Sequence, residues 1–156
     1  MSRKEITYQL LEYNQLSTQE KELVSQAEGA LQFSYSPYSN FKVASAVLLV
    51  DNSIIAGSNQ ENAAYPSGLC AERVALFAAK GSRNTDIDTI VVIAQNSGNG
   101  MADAFSCGSC RQVMVEYASQ QGLPIKILMR TSHGKFISVG DVRELLPFHF
   151  EAGNLR

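Results

Sequence analysis

Cys70, Cys107 and Cys110 are the only cysteines in the chain, and they fall in two short segments, Cys70-Ala71-Glu72-Arg73 and Cys107-Gly108-Ser109-Cys110. Three thiolates can hold one zinc ion and leave its fourth tetrahedral position open, the arrangement of a catalytic centre rather than a closed structural one. A water in that position ionises near neutral pH, and a neighbouring carboxylate can move the protons that its attack requires. Glu72 is the candidate for that role. Other readings stay open at this point. The Cys-x-x-Cys pair alone would suit a redox dithiol, although Cys70 then has no purpose. A closed structural zinc would need a fourth ligand from His133 or His149, both distant in sequence. Unrelated thiols are the remaining possibility.

A longer pattern surrounds these residues. Asn59-Gln60-Glu61-Asn62-Ala63-Ala64-Tyr65, then Cys70-Ala71-Glu72-Arg73, then Cys107-Gly108-Ser109-Cys110-Arg111-Gln112 follow one another in order. In type and distance they resemble the signature of the zinc-dependent cytidine deaminases, of the homotetrameric, three-cysteine type. Pro37-Tyr38-Ser39-Asn40-Phe41-Lys42-Val43 and Leu145-Leu146-Pro147-Phe148 extend the likeness to about residues 20–155. The resemblance implies a hydrolase acting on the C–N bonds of cyclic amidines in pyrimidine salvage. Its reaction would be hydrolytic deamination of cytidine and deoxycytidine to uridine and deoxyuridine, with release of ammonia. It implies one Zn²⁺ per chain on Cys70, Cys107 and Cys110, with hydroxide from the zinc site attacking C4 of the pyrimidine. Glu72 would take the water's proton, deliver one to N3 and later help the amine leave. By the same resemblance Phe41 stacks on the pyrimidine, Asn59 and Glu61 hydrogen-bond the ribose hydroxyls and Ala71 contacts the substrate. Arg73 would hydrogen-bond the sulfurs, and Tyr65 and Phe148 would reach a neighbouring subunit's site in a tetramer.

The charge balance of such a site needs help. Three thiolates on one Zn²⁺ leave a net charge of −1, which opposes ionisation of the bound water. Cys70 and Cys107 both precede helix-compatible stretches, so two helix N-termini would offset part of it, and Arg73 more.

The elements that must hold these residues follow from pattern. Ser17 and Glu20 form a capping box ahead of a helix over Thr18–Phe33. Phe41–Val50 reads as a buried strand, Asp51-Asn52-Ser53 as a turn and Ile54–Ser58 as the return of a hairpin. Asn59 and Glu61 then lie just past a strand end. A helix over Ala71–Lys80 starts at Cys70. Residues two apart do not share a helix face, so Cys70 and Glu72 can serve one site only if Cys70 lies at the edge of the first turn. Ile87–Ala94 is an apolar run that expects cover on both faces. Asn96–Ser106 reads as a flexible loop that lacks the Lys and Gly spacing of a phosphate cradle. Gly108–Gln121 is a second helix, with Cys107 and Cys110 one above the other at its start. Ile125–Arg130 and Phe136–Val139 are short strands flanking a turn that exposes His133. Asp141 caps a short helix through Leu146, and Phe148-His149-Phe150 forms an aromatic tail. The expected fold is a three-layer α/β/α, cytidine deaminase-like α/β fold with a mixed sheet of about five strands. Residues 17–156 would form that domain, and 1–16, where Ile6, Tyr8 and Leu10 alternate with polar residues, an N-terminal strand or arm.

Composition narrows the function classes. A chain of 156 residues is the size of one domain. A formal charge of −2, without a basic run interleaved with aromatics, points away from nucleic acid and towards a small-molecule nucleoside. The start of the chain lacks the apolar core of a signal peptide, and no apolar run has the length of a membrane span. A cytoplasmic protein with reduced thiols and no membrane partner is the expectation.

Three departures from the family pattern leave the substrate range open. Ser106 stands where Pro usually precedes the Cys-x-x-Cys segment, Ala44 where Gly is common, and Pro66 alters the loop between Tyr65 and Leu69. A modified cytosine nucleoside such as blasticidin S is therefore an alternative substrate. By the same resemblance, a cysteine instead of a histidine as first ligand argues against the nucleotide- and tRNA-acting branches. A non-enzymatic structural zinc module is the alternative of another class, and Glu72 separates the two: in the enzyme its removal abolishes turnover and spares zinc.

Overall fold

The computed structural model of the chain describes residues 3–155. One sheet of seven strands, in the order β1-β7-β6-β4-β2-β3 with β5 paired to β4, carries helices on both faces. The strands are β1 (Tyr8–Leu11), β2 (Lys42–Leu49), β3 (Ile54–Ser58), β4 (Ile87–Gln95), β5 (Met101–Ala102), β6 (Lys126–Arg130) and β7 (Phe136–Val139). Only β4 and β6 pair in parallel; the other pairings are antiparallel. The helices are α1 (Thr18–Ala30), α2 (Ala71–Ser82) and α3 (Gly108–Gln121). Among the described residues no helix is long and apolar enough to cross a membrane.

The alternation of side chains across β4 builds both cores. Val91 and Ile93 meet Ala44, Ala46, Leu128 and Phe136 under Leu23, Val24 and Ala27 of α1. Ile90, Val92 and Ala94 point the other way, with Val47 and Ile127, into the core closed by Ala75, Leu76 and Ala79 of α2 and Met114 and Ala118 of α3. A strand with apolar side chains on both faces must lie in the middle of the sheet, as β4 does.

Local signals explain the ends. Ser17 accepts from the Glu20 N–H and Glu20 returns a carboxylate oxygen to the Ser17 N–H, which starts α1. Gly122, at φ 71°, ends α3 in the left-handed region where a side chain is strained. Gly57 on β3 lets α2 lie close to the sheet, since a Cβ there would fall 2.7 Å from the Ala75 backbone nitrogen.

The expected sheet of about five strands needs correction to seven. The additions are β1, an edge strand that pairs with β7 within the segment expected to be a strand or an arm, and β5, two residues long, which pairs with the end of the central β4 within the segment expected to be a flexible loop. That segment is ordered by Asn96, whose Oδ1 accepts from the N–H groups of Gly98 and Gly100, both at 3.0 Å. The first helix also stops at Ala30, and Leu31–Phe33 continue as a single 3₁₀ turn. The segment after Asp141 is a 3₁₀ turn, Val142–Leu145, capped by the Asp141 carboxylate as expected.

Candidate active site

Two helix N-termini converge on the α2/α3 side of the sheet. Cys70 is the residue immediately before α2, and Cys107 holds the same position before α3; neither side chain caps its own helix. Cys110 lies in the first turn of α3 and is fully buried, while Cys107 is exposed. The three Sγ atoms lie within 4.8 Å of one another, and Cys70 Sγ is 3.9 Å from Cys107 Sγ. That separation is far longer than a disulfide. It matches the roughly 3.8 Å between two sulfurs on a tetrahedral zinc with Zn–S bonds near 2.3 Å.

The electrostatics of the cluster call for a cation. Hydrogen bonds from the Cys110 thiol, opposed by burial and aided by Arg73 and Cys107, lower the Cys70 thiol to about 5. Its sulfur also accepts from Arg73 Nη2 at 3.6 Å. The Cys110 thiol is driven upward, chiefly by its hydrogen bond to Cys70 and by burial. The cluster by itself thus favours one thiolate and resists more. A divalent cation would reverse this resistance, so the donor set fits zinc.

Glu72 is only 3 % exposed. It shares with Cys70, Cys107 and Arg73 the lining of a cavity of about 530 Å³. Burial, then the nearby Cys70 charge, raise its carboxyl above the usual carboxylate range. Because Cys70 precedes the helix instead of lying within it, a thiol and a carboxylate two residues apart can both face the cavity. Ala71, between them, is fully buried.

The opposite wall comes from the segment after β3. Gln60 exchanges backbone hydrogen bonds with Leu69 at 2.9 Å each, and Tyr35 brackets it through Asn59 O at 3.0 Å and Glu61 N at 2.8 Å. This holds Asn59 and Glu61 rigidly. Asn59 Oδ1 accepts from Val43 N at 2.9 Å and from Ser34 Oγ at 2.5 Å, and its Nδ2 donates to Phe41 O at 2.9 Å. One N–H of that amide is left for a ligand. The Glu61 carboxylate accepts from Tyr38 N at 2.9 Å, Ser39 N at 3.3 Å and Ser39 Oγ, and the Ser39 hydroxyl above all keeps its pKa low. Phe41 and Val43 line the cavity, and Tyr65, 77 % exposed, meets Tyr38 edge-on at its mouth.

Some predicted residues lie elsewhere. Phe148 is 94 % exposed and outside this cavity's lining. His133 is exposed in its turn, and His149 Nδ1 contacts Leu146 O at 2.9 Å. Arg111, quoted in the motif without a role, has one. Its Nε donates to Ser106 O at 2.9 Å and its Nη1 to Leu145 O at 3.1 Å, tying the Cys107 loop to the Leu145 turn. No spacing in the sequence signals that bridge.

An open three-sulfur metal centre with a buried carboxylate, placed at two helix starts of an α/β/α sandwich, defines a zinc hydrolase of the deaminase class. The family model for the cytidine and deoxycytidylate deaminase zinc-binding region matches residues 17–122, which include all three cysteines. The cytidine deaminase of Halalkalibacterium halodurans is 38% identical over 135 residues, 86% of this chain and 93% of that protein. The cytidine deaminase of Sporosarcina psychrophila is 33% identical over the same shares. The crystal structure of cytidine deaminase from Burkholderia pseudomallei superposes with a TM-score of 0.72 at 31% identity, over 86% of this chain and 100% of that one. The chain belongs to the zinc-dependent cytidine and deoxycytidylate deaminase family.

Proposed function

We propose that the protein catalyses hydrolytic deamination of cytidine and deoxycytidine, giving the uridine and ammonia, with one zinc per chain. The observation that carries this reading is the buried Glu72 carboxyl in one cavity with Cys70 and Cys107 of the three-sulfur cluster. The chemistry that a bound zinc supplies is a water of lowered pKa, the nucleophile for C4 of the pyrimidine.

Cys70, Cys107 and Cys110 hold the metal, and Arg73 offsets their charge. Glu72 takes the proton of the attacking water on its carboxylate and passes it to N3 as C4 becomes tetrahedral. It then takes the proton of the new C4 hydroxyl and gives it to the amine as the C–N bond breaks, leaving a C4 carbonyl and ammonia. Burial supports this role, because it raises the Glu72 carboxyl above the usual carboxylate range and so makes its protonated form easier to reach. Phe41 offers a ring to the pyrimidine, and Val43 and Val92 give the cavity an apolar wall. Asn59 and Glu61, each with hydrogen-bonding capacity to spare, take the ribose hydroxyls, and Ala71 packs behind the base. A volume near 530 Å³ suits a nucleoside.

Residues 17–156 act as the catalytic domain and 1–16 as an N-terminal strand or arm, a division supported by the pairing of Tyr8–Leu11 with β7 at the sheet edge. The exposed Phe148 and Tyr65 support a homotetramer in which each reaches a neighbouring subunit's site. Pyrimidine salvage in the cytoplasm is the setting that this activity implies. The test is turnover: zinc-loaded protein is mixed with cytidine, and uridine and ammonia are followed. Conversion that Glu72→Ala eliminates, with zinc still near one per chain, is the expected result. A folded, zinc-loaded protein that converts neither cytidine nor deoxycytidine would overturn the reading.

A further inference from the structure

On the α1 face of the sheet lies another cavity, of about 470 Å³, which takes no part in the site above. Its floor is Arg130, the last residue of β6, whose side chain follows Leu128 onto that face and is only 5 % exposed. A buried guanidinium needs its donors filled. Arg130 Nη1 donates to Glu28 Oε1 at 2.8 Å, but its Nε is buried with no hydrogen-bond partner. Lys42, half-buried at the start of β2, lines the same cavity and forms no ion pair among the described residues. Strand pairing sets Lys42 opposite Gln95, and Gln95 opposite Met101, so both polar side chains face the space over Arg130.

The cavity therefore holds two cations, Lys42 and Arg130, against one carboxylate, Glu28, whose side chain is 54% exposed and free to swing outward. Leu31 and Met101 supply an apolar flank. We propose that this cavity is a binding site for a small organic oxyanion, a carboxylate or phosphate group held between Lys42 Nζ and the Arg130 guanidinium, with the Gln95 amide as a further donor. The volume exceeds that of a bare oxyanion and leaves room for an organic body against Leu31 and Met101. Lys42 lies between Phe41 and Val43, so this site stands back to back with the nucleoside cavity across the start of β2.

Glu28 gives the proposal its test, because it repels and competes with any anion that Lys42 attracts. Inorganic phosphate and succinate are titrated into zinc-loaded protein at constant ionic strength, with chloride as control, and backbone amide shifts are read by NMR. Saturable shifts at Lys42, Gln95 and Arg130 are expected. Lys42→Gln should weaken binding about fivefold and Glu28→Gln should tighten it by about as much, the size of one lost attractive or repulsive contact. Both side chains are partly exposed, so both variants keep the fold, and cytidine turnover should be unchanged in each. A stronger response to phosphate identifies a phosphoester ligand, and to succinate a carboxylate. Shifts that chloride reproduces, no saturable shift with either probe, or equal affinity in wild type and Lys42→Gln would each overturn the proposal.

Discussion

Cys70 Sγ and Cys107 Sγ lie 3.9 Å apart, each on the residue that precedes a helix, so one metal would join the starts of α2 and α3. Zinc binding should therefore contribute to fold stability as well as to chemistry. At a thousandfold excess over Kd, a ligand that binds only the folded state adds about 4 kcal/mol. A strong chelator should lower the thermal midpoint reversibly and make Cys107, the exposed thiol, the first to react with a thiol reagent. Cys110→Ala should remove zinc and activity together. A chelated protein with an unchanged midpoint would show that the helices hold together without the metal.

Arg73 donates to Cys70 Sγ at 3.6 Å and helps to lower that thiol's pKa. Protons compete with zinc for thiolates, so a lower pKa keeps the metal bound to lower pH. Arg73→Gln raises the Cys70 pKa, and the pH at which half the zinc is lost should move upward. Affinity at neutral pH should fall about 10- to 100-fold, the range seen when a supporting partner of a ligand is removed. A zinc-release titration with a colorimetric chelator checks both. The same release curve in the variant and the wild type would make Arg73 a bystander.

The catalytic end of the molecule is legible in the sequence because chemistry constrains it to rare residues at fixed offsets. Cysteine occurs only at Cys70, Cys107 and Cys110, and helix starts after Cys70 and Cys107 can be read from composition. The buried run of β4 shows for the same reason, since both its faces must be apolar. What escapes is whatever depends on distant pairing. Met101–Ala102 becomes a strand only because β4 offers it a partner, and two residues carry no periodicity. The Arg130–Glu28 pair joins residues far apart in sequence, so no local pattern marks Arg130 as buried. Asn59 reads as a loop residue, yet all of its amide but one N–H is engaged by Ser34, Phe41 and Val43.

Glu20 shows the pH dependence that such distant pairing brings. Burial alone would raise its carboxyl, but the Lys126 ammonium and the Ser17 N–H outweigh this and hold it below the ordinary 4.5. A depressed folded-state pKa contributes stability that is present above the unfolded value and is lost as pH falls through the folded one. Urea unfolding of wild type and Lys126→Met should therefore differ at pH 7, by no more than about 1 kcal/mol for a partly exposed pair. The gap should shrink as pH falls below 4.5. A gap that persists at pH 2 would assign the effect to packing of the lysine stem.

Asn59 joins the nucleoside cavity to the start of β2 through three hydrogen bonds, to Ser34, Val43 and Phe41. Asn59→Asp keeps the shape and the acceptor to Val43 N but replaces Nδ2 with an oxygen facing Phe41 O, a carbonyl that then has no donor. Losing that hydrogen bond, to an exposed carbonyl, costs about 0.5–1.5 kcal/mol. Stability should fall within that range and Phe41 should lose its fixed place on the cavity wall. If Phe41 holds the pyrimidine and Asn59 a ribose hydroxyl, KM for cytidine should rise more than kcat falls, because Glu72 and the sulfur cluster stand on the other wall. Glu72→Gln should do the opposite, lowering kcat by roughly 10²–10⁴ with little change in KM. Steady-state kinetics of the two variants side by side, with zinc content measured in each, separate the binding wall from the chemical one; a fall in kcat alone for Asn59→Asp would place Asn59 in the proton-transfer step instead.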